Sequence, residues 1–214
     1  MLVQDIMKTD VITIHPSETI RLALLTVQEH RIRHLPVVDQ GGLVGIVTDR
    51  DLRDASPSTL ERERDERIMA QPVSSIMTKE VLTAHPRDFV EEAALTLYEY
   101  NVGCLPVVRQ NRIVGILTRK DILHTLVELM GVTKPSQRVE MTVPDQAGVL
   151  AEVTEVFRSH NMNVASVFTY TGEEPDSLHL VFRLETMDAR DVVNELDAKG
   201  FRVVWPTKDP KDWD

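Results

Sequence analysis

The sequence has only one cysteine, Cys104. A single thiol forms no disulfide within the chain and supplies no thiolate cluster for a metal ion, so a reducing compartment is expected. The sequence also lacks a Walker A loop, a G-x-G-x-x-G fingerprint, an H-E-x-x-H pair and a G-x-S-x-G elbow. These absences argue against the common nucleotide-hydrolysing, dehydrogenase, zinc-peptidase and serine-hydrolase classes. We therefore predict no catalytic residue, no metal ligand and no required cofactor.

Long apolar runs and excess positive charge are also absent. No run approaches the roughly 18 residues of a membrane span, and the first residues, MLVQDIMKTD, have neither the basic nor the apolar region of a secretion signal. A cytoplasmic protein without a membrane partner is expected. The chain has 24 Lys and Arg against 34 Asp and Glu, a net charge of -10. Because most of the acidic excess lies after residue 134, binding to a phosphate backbone is disfavoured there, and we predict no nucleic-acid partner.

A tandem repeat dominates the first two thirds of the chain. A shift of seventy residues lays 3–52 over 73–122 without an insertion, and 21 of the 50 aligned residues are identical. The repeat divides this region into 1–56, a charged segment over 57–72, and 73–131. The charged segment is interpreted as a solvated helix or linker, with a docking surface as the alternative.

Each copy has the same predicted order of elements. An amphipathic helix is indicated by apolar residues at i, i+3, i+4 and i+7, namely Ile20, Ala23, Leu24 and Val27 in the first copy. Two short strands follow, HLPVVD with LVGIV and CLPVVR with IVGIL. A second helix then begins within DRDLRDA or RKDILHTLVELM. Residues 136–207 show a different order, β-α-β-β-α-β, which is typical of a ferredoxin-like fold. The whole chain is thus predicted to be α+β.

A threonine and an aspartate are placed three residues apart at the same point of both copies, in GIVTDRDL and GILTRKDI. A carboxylate can accept hydrogen bonds from both hydroxyls of a ribose, and a nearby threonine can contact ribose or phosphate. The amino terminus of the helix that follows also favours an anion. The candidate nucleotide-binding residues are therefore Thr48, Asp51, Thr118 and Asp121.

The LPVV strand and the G-h-h-T-x-x-D corner, where h is hydrophobic, resemble a pair of cystathionine-beta-synthase (CBS) domains. The resemblance implies a Bateman module with two clefts for an adenosine nucleotide (AMP, ADP or ATP) as a regulatory ligand. It implies Asp51 and Asp121 at ribose, Val11 and Val81 at the base, and Pro36 and Pro106 as apolar walls. The full set of predicted nucleotide-binding residues is Val11, Arg33, His34, Pro36, Thr48, Arg50, Asp51, Val81, Cys104, Pro106, Thr118, Lys120 and Asp121. A ligand-free dimerisation or interaction module is the alternative.

The two copies differ in the residues available for phosphate. The first copy has Arg31, Arg33, His34, Arg50 and Arg53 where the second has Asn101, Gly103, Cys104, Lys120 and Leu123. We therefore expect the cleft of the first copy to accept more phosphate charge than the cleft of the second. The second copy keeps Arg119 and Lys120, so its cleft is expected either to accept a monophosphate or to stay empty.

The segment PDQAGVLAEVTEVF followed by NMNV resembles an ACT domain, a small regulatory fold. The resemblance implies an amino acid or another small effector bound by Asp145, Gly148, Val149, Leu150, Asn161 and Asn163, with Asn163 contributing across a dimer interface. Dimerisation without an effector is the alternative, in which Asp145 caps a helix. Two CBS repeats and an ACT unit resemble the AcuB-like family of acetoin-utilisation proteins. That resemblance implies a homodimer and a regulated enzyme of acetoin or acetyl metabolism as partner.

Overall fold

A computed structural model describes residues 1–55, 62–172 and 174–207, without the side chains of residues 62–65. The chain divides into two compact units, Met1–Leu123 and His124–Asp214. In the charged segment, residues 57–61 lie outside the described residues, whereas Arg62–Met69 form a helix. No helix within the described ranges is both long and apolar enough to cross a membrane.

The first unit has the predicted order of elements in both copies. The first copy contains α1 (Ile20–Glu29), β1 (His34–Asp39), β2 (Gly42–Thr48) and α2 (Asp49–Ala55), and α3 (Arg62–Met69) follows it. The second copy contains α4 (Val90–Glu99), β3 (Cys104–Arg109), β4 (Arg112–Thr118) and α5 (Arg119–Leu129), which runs on into the second unit. The strands form one antiparallel sheet in the order β1-β2-β4-β3. Each copy thus contributes one hairpin, and the hairpins meet at β2 and β4.

The short segments at the start of each copy are exchanged between the copies. Val3 is buried in the core of the second copy, and Val73 is buried in the core of the first. The backbone of Lys8 forms two hydrogen bonds with Ile116 of β4, at 2.9 and 3.0 Å. Thr78 forms the equivalent pair with Ile46 of β2, both at 2.9 Å. Each hairpin is therefore extended by backbone from the other copy.

The repeated glycines of β2 and β4 make room for this exchange. A Cβ on Gly45 would lie 2.6 Å from Met77 Sδ and 3.0 Å from the backbone oxygen of Thr78. A Cβ on Gly115 would lie 2.5 Å from Met7 Sδ and 3.1 Å from the backbone oxygen of Lys8. The glycine of the repeated corner motif thus serves the packing of the exchanged segment.

Gly115→Ala is expected to lower the free energy of unfolding by about 1–3 kcal/mol, because the added methyl group overpacks the contact with the exchanged segment. Urea unfolding measures the change. Gly42→Ala is the matched control, since a Cβ there would meet its nearest atom at 3.5 Å, an ordinary contact. Equal stability of the two variants would contradict this account of the glycine.

The second unit has the predicted ferredoxin-like order. It contains β5 (Gln137–Pro144), α6 (Val149–Ser159), β6 (Val164–Thr171), β7 (Ser177–Leu184), α7 (Arg190–Ala198) and β8 (Arg202–Trp205). Its antiparallel sheet has the order β6-β7-β5-β8. Alternate residues of β5, such as Val139 and Met141, are buried with apolar residues of both helices. Phe157 and Phe182 meet edge to face in this core, with their ring centroids 4.8 Å apart.

Candidate functional site

The repeated threonine and aspartate form the same hydrogen-bonded corner in both copies. Thr48 ends β2, and its backbone N–H and its hydroxyl donate to Asp51 Oδ2 at 2.8 and 2.7 Å. The backbone N–H of Asp51 donates back to Thr48 Oγ1 at 3.2 Å. In the second copy the matching distances between Thr118 and Asp121 are 2.9, 2.5 and 3.3 Å. This reciprocal cap fixes the start of the following helix and leaves Oδ1 of each aspartate outside the cap.

One cavity of about 590 Å³ borders the corner of the first copy, and we term it cleft one. Thr48, Asp49, Arg50 and Asp51 line it together with His34 and Ile46. The second copy supplies Thr78 from its exchanged segment and Glu80, Val81 and Leu82 from the residues that follow. It also supplies Tyr100–Cys104 and Arg119, which lie near its own corner. The volume of cleft one lies in the usual range for a small-molecule site.

A second cavity of about 660 Å³ borders the corner of the second copy, and we term it cleft two. Thr118, Arg119 and Lys120 line it, together with Gly103 and Ile116. The first copy supplies Lys8, Asp10, Val11, Ile12, Arg31, Ile32, Arg33, His34 and Arg50. Asp121, a predicted ribose residue, is not among the residues that line this cleft, but it bonds to Thr118 and lies 3.6 Å from Lys8 Nζ through its Oδ1, and both of those residues do line it.

Both clefts are therefore composites of the two copies. Val81 lies with Asp51 in cleft one, whereas Val11 lies with Thr118 in cleft two. Arg31 and Arg33 line cleft two, although they belong to the first copy. Arg31 and Arg33, which the sequence interpretation assigned to the cleft of the first copy, thus lie at the cleft that borders the corner of the second copy.

Four residues line both cavities: His34, Arg50, Gly103 and Arg119. The His34 ring lies against Gly103, where a Cβ would stand 2.4 Å from His34 Nε2. Burial lowers the pKa of His34, and Arg33 and Arg119 lower it further, against the opposing effect of Asp49 and Asp51. A neutral His34 therefore separates the two clefts at neutral pH.

Cys104, aligned with His34 in the repeat, lines cleft one. Its side chain is buried, and burial raises the pKa of the thiol to about 12. The thiol consequently stays protonated at physiological pH, which makes it an apolar wall of the cleft and a poor nucleophile.

Arg119 is held in place by the end of the preceding helix. Its Nε donates to the backbone oxygen of Val102 at 2.8 Å, and its Nη2 donates to Asn101 Oδ1 at 2.7 Å. Nη2 also donates to the backbone oxygen of Leu97 at 3.3 Å. Much of the donor capacity of this guanidinium is thus used within the protein.

Two predicted walls lie behind the clefts instead of facing them. Pro36 and Pro106 are buried in β1 and β3, where they pair with Ile46 and Ile116. The isoleucines line the cavities, and the prolines are not among the lining residues.

Several lining residues were not predicted from the sequence. Lys8 and Glu80 contribute charge, and Leu82 and Tyr100 contribute apolar surface. The sequence signal for these residues is a difference between aligned positions of the two copies. Lys8 aligns with Thr78, and the residues just before β1 differ in charge from those just before β3. That difference carries information only once the crossing of the two copies is known.

The predicted effector residues lie at two ends of the second unit. Asp145, Gly148, Val149 and Leu150 follow Pro144, which pairs with Ser177 at the start of β7. Asn161 and Asn163 precede Val164, which pairs with Leu184 at the end of β7. The eight residues of β7 separate the two groups by about 23 Å, at ~3.3 Å per residue. One chain therefore does not bring the two groups into a single site.

The loop before α6 is exposed and contains a glycine in the left-handed region. Gly148 has φ of 98° at the start of the helix, and a Cβ there would meet nothing within 4 Å. Asp145 and Leu150 are exposed, and Asp145 donates its backbone N–H to the backbone oxygen of Asp176 at 2.8 Å. At the other end, Asn163 Nδ2 donates to Glu185 Oε2 at 3.3 Å.

A buried carboxylate on the sheet of the second unit was also missed by sequence reasoning. Glu140 is 8% exposed and accepts hydrogen bonds from Tyr170 Oη and from Arg138 Nε, the latter at 3.1 Å. The Tyr170 and His179 rings stack with centroids 4.6 Å apart, and His179 Nδ1 lies 3.3 Å from Glu140 Oε1. Burial alone would raise the pKa of Glu140, but the bonds from Tyr170 and Arg138 lower it below its ordinary value.

Glu140→Gln is expected to reduce the acid sensitivity of the second unit. A carboxyl whose pKa is lower when folded stabilises the fold above its unfolded pKa, and that stabilisation is lost as the pH falls through the folded pKa. Urea unfolding of both proteins between about pH 6 and about pH 3 measures the effect. The parent protein should lose more stability over this interval than the variant, and parallel losses would contradict the assignment.

Comparisons with known families agree with this geometry. The CBS domain model matches residues 3–58 and 73–128, and the ACT domain model matches residues 137–198. The CBS matches coincide with the two copies that build the clefts. The ACT match coincides with most of the βαββαβ unit.

Solved structures similar to the first unit include proteins with bound adenosine ligands. The CBS domain pair of protein MJ0100, in complex with 5-methylthioadenosine and S-adenosyl-L-methionine, is 35% identical over 60% of this chain and 97% of its own, with a TM-score of 0.52. The protein CBSX2 of Arabidopsis thaliana, in complex with AMP, is 29% identical over 59% of this chain and 96% of its own, with a TM-score of 0.52.

A third similar structure is a putative acetoin utilization protein (AcuB) from Vibrio cholerae. It is 31% identical over 63% of this chain and 98% of its own, with a TM-score of 0.54. The family models cover more than half of this chain and match both copies of its repeat. The chain therefore belongs to the CBS-domain family, with two tandem CBS domains followed by an ACT domain.

Proposed function

We propose that this chain is a non-catalytic regulatory sensor that binds AMP, ADP or ATP in its CBS clefts. The observation that carries the proposal is the repeated corner, which holds a carboxylate beside a cavity large enough for a nucleoside in both copies. The apolar residues Val11, Ile12, Val81 and Leu82 offer walls for a base. The adenosine ligands of the similar CBS pairs support the same ligand class.

For the ACT domain, we propose an amino acid or a similar small effector at the loop Asp145–Leu150. Because Asn161 and Asn163 lie at the far end of the same sheet, their part in that site requires a second chain. A homodimer that places Asn163 of one protomer near the loop of its partner would satisfy this requirement. An ACT domain that only dimerises is the alternative, and it predicts no response to amino acids.

The regulated partner is proposed to be an enzyme of acetoin or acetyl metabolism, and the similarity to the acetoin utilization protein of Vibrio cholerae supports this choice. Nucleotide occupancy could control such a partner only through different affinities for two arrangements of the chain. A cytoplasmic location stays a prediction from the sequence.

Thermal unfolding of the dialysed protein tests the sensor. A ligand that binds only the folded state adds about 2.7 kcal/mol at a hundredfold excess over its dissociation constant, so a nucleotide that binds raises the unfolding temperature. The same experiment with the common amino acids tests the effector site. A ligand-free interaction scaffold predicts no shift with any compound, and this result would contradict the sensor. Turnover of a bound nucleotide would instead indicate an enzyme.

A further inference from the structure

The two clefts differ sharply in charge. Cleft two is lined by Lys8, Arg31, Arg33, Arg50, Arg119 and Lys120, with Asp10 as the only acid among its lining residues. Cleft one is lined by the acids Asp49, Asp51 and Glu80, with Arg50 and Arg119 as its basic residues. Arg50 and Arg119 line both clefts, so the difference in charge between the clefts comes from their other lining residues. Cleft two has four further cations against Asp10 and the adjacent Asp121, whereas cleft one has three further carboxylates and no further Lys or Arg.

The cations of cleft two have few partners within the protein. Across the part of the chain that the structure describes, Arg31, Arg33, Arg50 and Lys120 form no ion pair. Lys8 lies 3.6 Å from Asp121 Oδ1. By contrast Arg53, which was expected to serve phosphate, is held by Asp49 Oδ2 at 2.8 Å. These four unpaired cations all line cleft two, beside the apolar side chains of Val11, Ile12 and Ile116.

Converging like charges raise the free energy of the ligand-free protein, because each repels the others. An anion with several negative charges relieves this repulsion and accepts charge-assisted bonds from the guanidinium groups. In cleft one the same anion would meet the carboxylates of Asp51 and Glu80, without Lys8, Arg31, Arg33 or Lys120 to offset them.

We propose that the clefts divide the adenosine ligands by charge. Cleft two takes an adenosine polyphosphate, with ribose at Asp121 and phosphates at Arg31, Arg33, Arg50 and Lys120. Cleft one takes an adenosine ligand without phosphate, with ribose at Asp51 and its uncharged or cationic end near Glu80. This division rests on the proposed nucleotide-binding function and adds to it the ligand class of each cleft.

The composite clefts give the division a structural origin. The phosphate-binding arginines come from the first copy, but the ribose corner that they serve comes from the second. The second copy has Asn101 and Gly103 where the first has Arg31 and Arg33. This difference therefore makes cleft two basic and leaves cleft one acidic. Arg50 lines both clefts, and the proposal assigns it to the phosphates of cleft two.

Isothermal titration with ATP and with adenosine tests the division. The double variant Arg31→Gln/Arg33→Gln should weaken ATP binding by about a hundredfold, about tenfold for each charged contact, and leave adenosine binding unchanged. Arg21→Gln/Arg87→Gln removes the same charge from exposed positions outside both clefts and should change neither affinity. Asp121→Asn should weaken ATP, and Asp51→Asn should weaken adenosine.

The salt dependence of the unaltered protein provides a test that needs no variant. ATP affinity should fall steeply as ionic strength rises, whereas adenosine affinity should change little. Equal salt dependence, an unchanged ATP affinity in Arg31→Gln/Arg33→Gln, or loss of ATP binding in Asp51→Asn alone would overturn the division while the nucleotide-binding function stands. Failure of the unaltered protein to bind either probe would overturn both.

Discussion

Replacing Asp51 and Asp121 together by alanine is expected to abolish nucleotide binding, with a loss of about a hundredfold or more at each cleft. In the proposed function each carboxylate accepts two ribose hydroxyls, and a hydrogen bond to a charged group contributes about 1.5–3 kcal/mol. The alanines also remove the acceptor for the N–H and hydroxyl of Thr48 and Thr118. We therefore expect an additional loss of about 1 kcal/mol of folding free energy per corner.

Two further variants separate these effects. Asparagine at both positions keeps an amide oxygen that can accept the threonine bonds, so it should preserve most of the stability while it still weakens ribose binding. Asp54→Ala, on the exposed side of α2, should change neither property. Titration with ATP and adenosine together with urea unfolding provides the two readouts. An alanine double variant that is less stable but binds both ligands normally would show that the corners only cap helices.

Phe182→Ala is expected to cost about 3–5 kcal/mol of stability in the second unit, the largest stability effect that we predict. The ring is fully buried, and its edge-to-face contact with Phe157 links β7 to α6. Urea unfolding followed by the near-ultraviolet signal measures the loss. Tyr98→Ala is the control, because that side chain is 82% exposed and its removal should change stability by less than about 0.5 kcal/mol. A loss below about 1 kcal/mol for Phe182→Ala would contradict this placement of the core.

The order of elements could be predicted from the sequence because the signals are local. The stripe of Ile20, Ala23 and Val27 depends on neighbouring turns of one helix, and all three are buried. The repeated LPVV segment likewise lies in β1 and β3. The T-x-x-D corners were also found, because each cap is closed within four residues.

The pairing of the two copies could not be predicted in this way. The exchanged segments are recognised only by contacts between residues more than thirty positions apart, such as those of Thr78 with Ile46. A repeat of seventy residues is equally compatible with two closed copies and with two exchanged ones. The position of Arg31 and Arg33 at cleft two could likewise not be predicted, because it depends on how the two copies pack together.

The second unit shows the same limit. Its βαββαβ order follows from local periodicity, but the position of Glu140 beside Tyr170 and His179 depends on the register of three strands. Alternation along β5 indicates only that Glu140 points away from the core of Val139 and Met141. Sequence alone therefore gave no reason to expect a carboxylate that is only 8% exposed on that face.

Methyl NMR during titration with ATP tests the central claim, that the composite clefts bind adenosine nucleotides. The methyl groups of Val11, Ile12, Ile32 and Ile116 report on cleft two, and those of Ile46, Val81, Leu82 and Val102 report on cleft one. We predict saturable shifts of the first group with ATP, which would bring residues of both copies into one site. If neither group of methyl signals shifts when ATP is added to a large excess over the protein, the account would be contradicted.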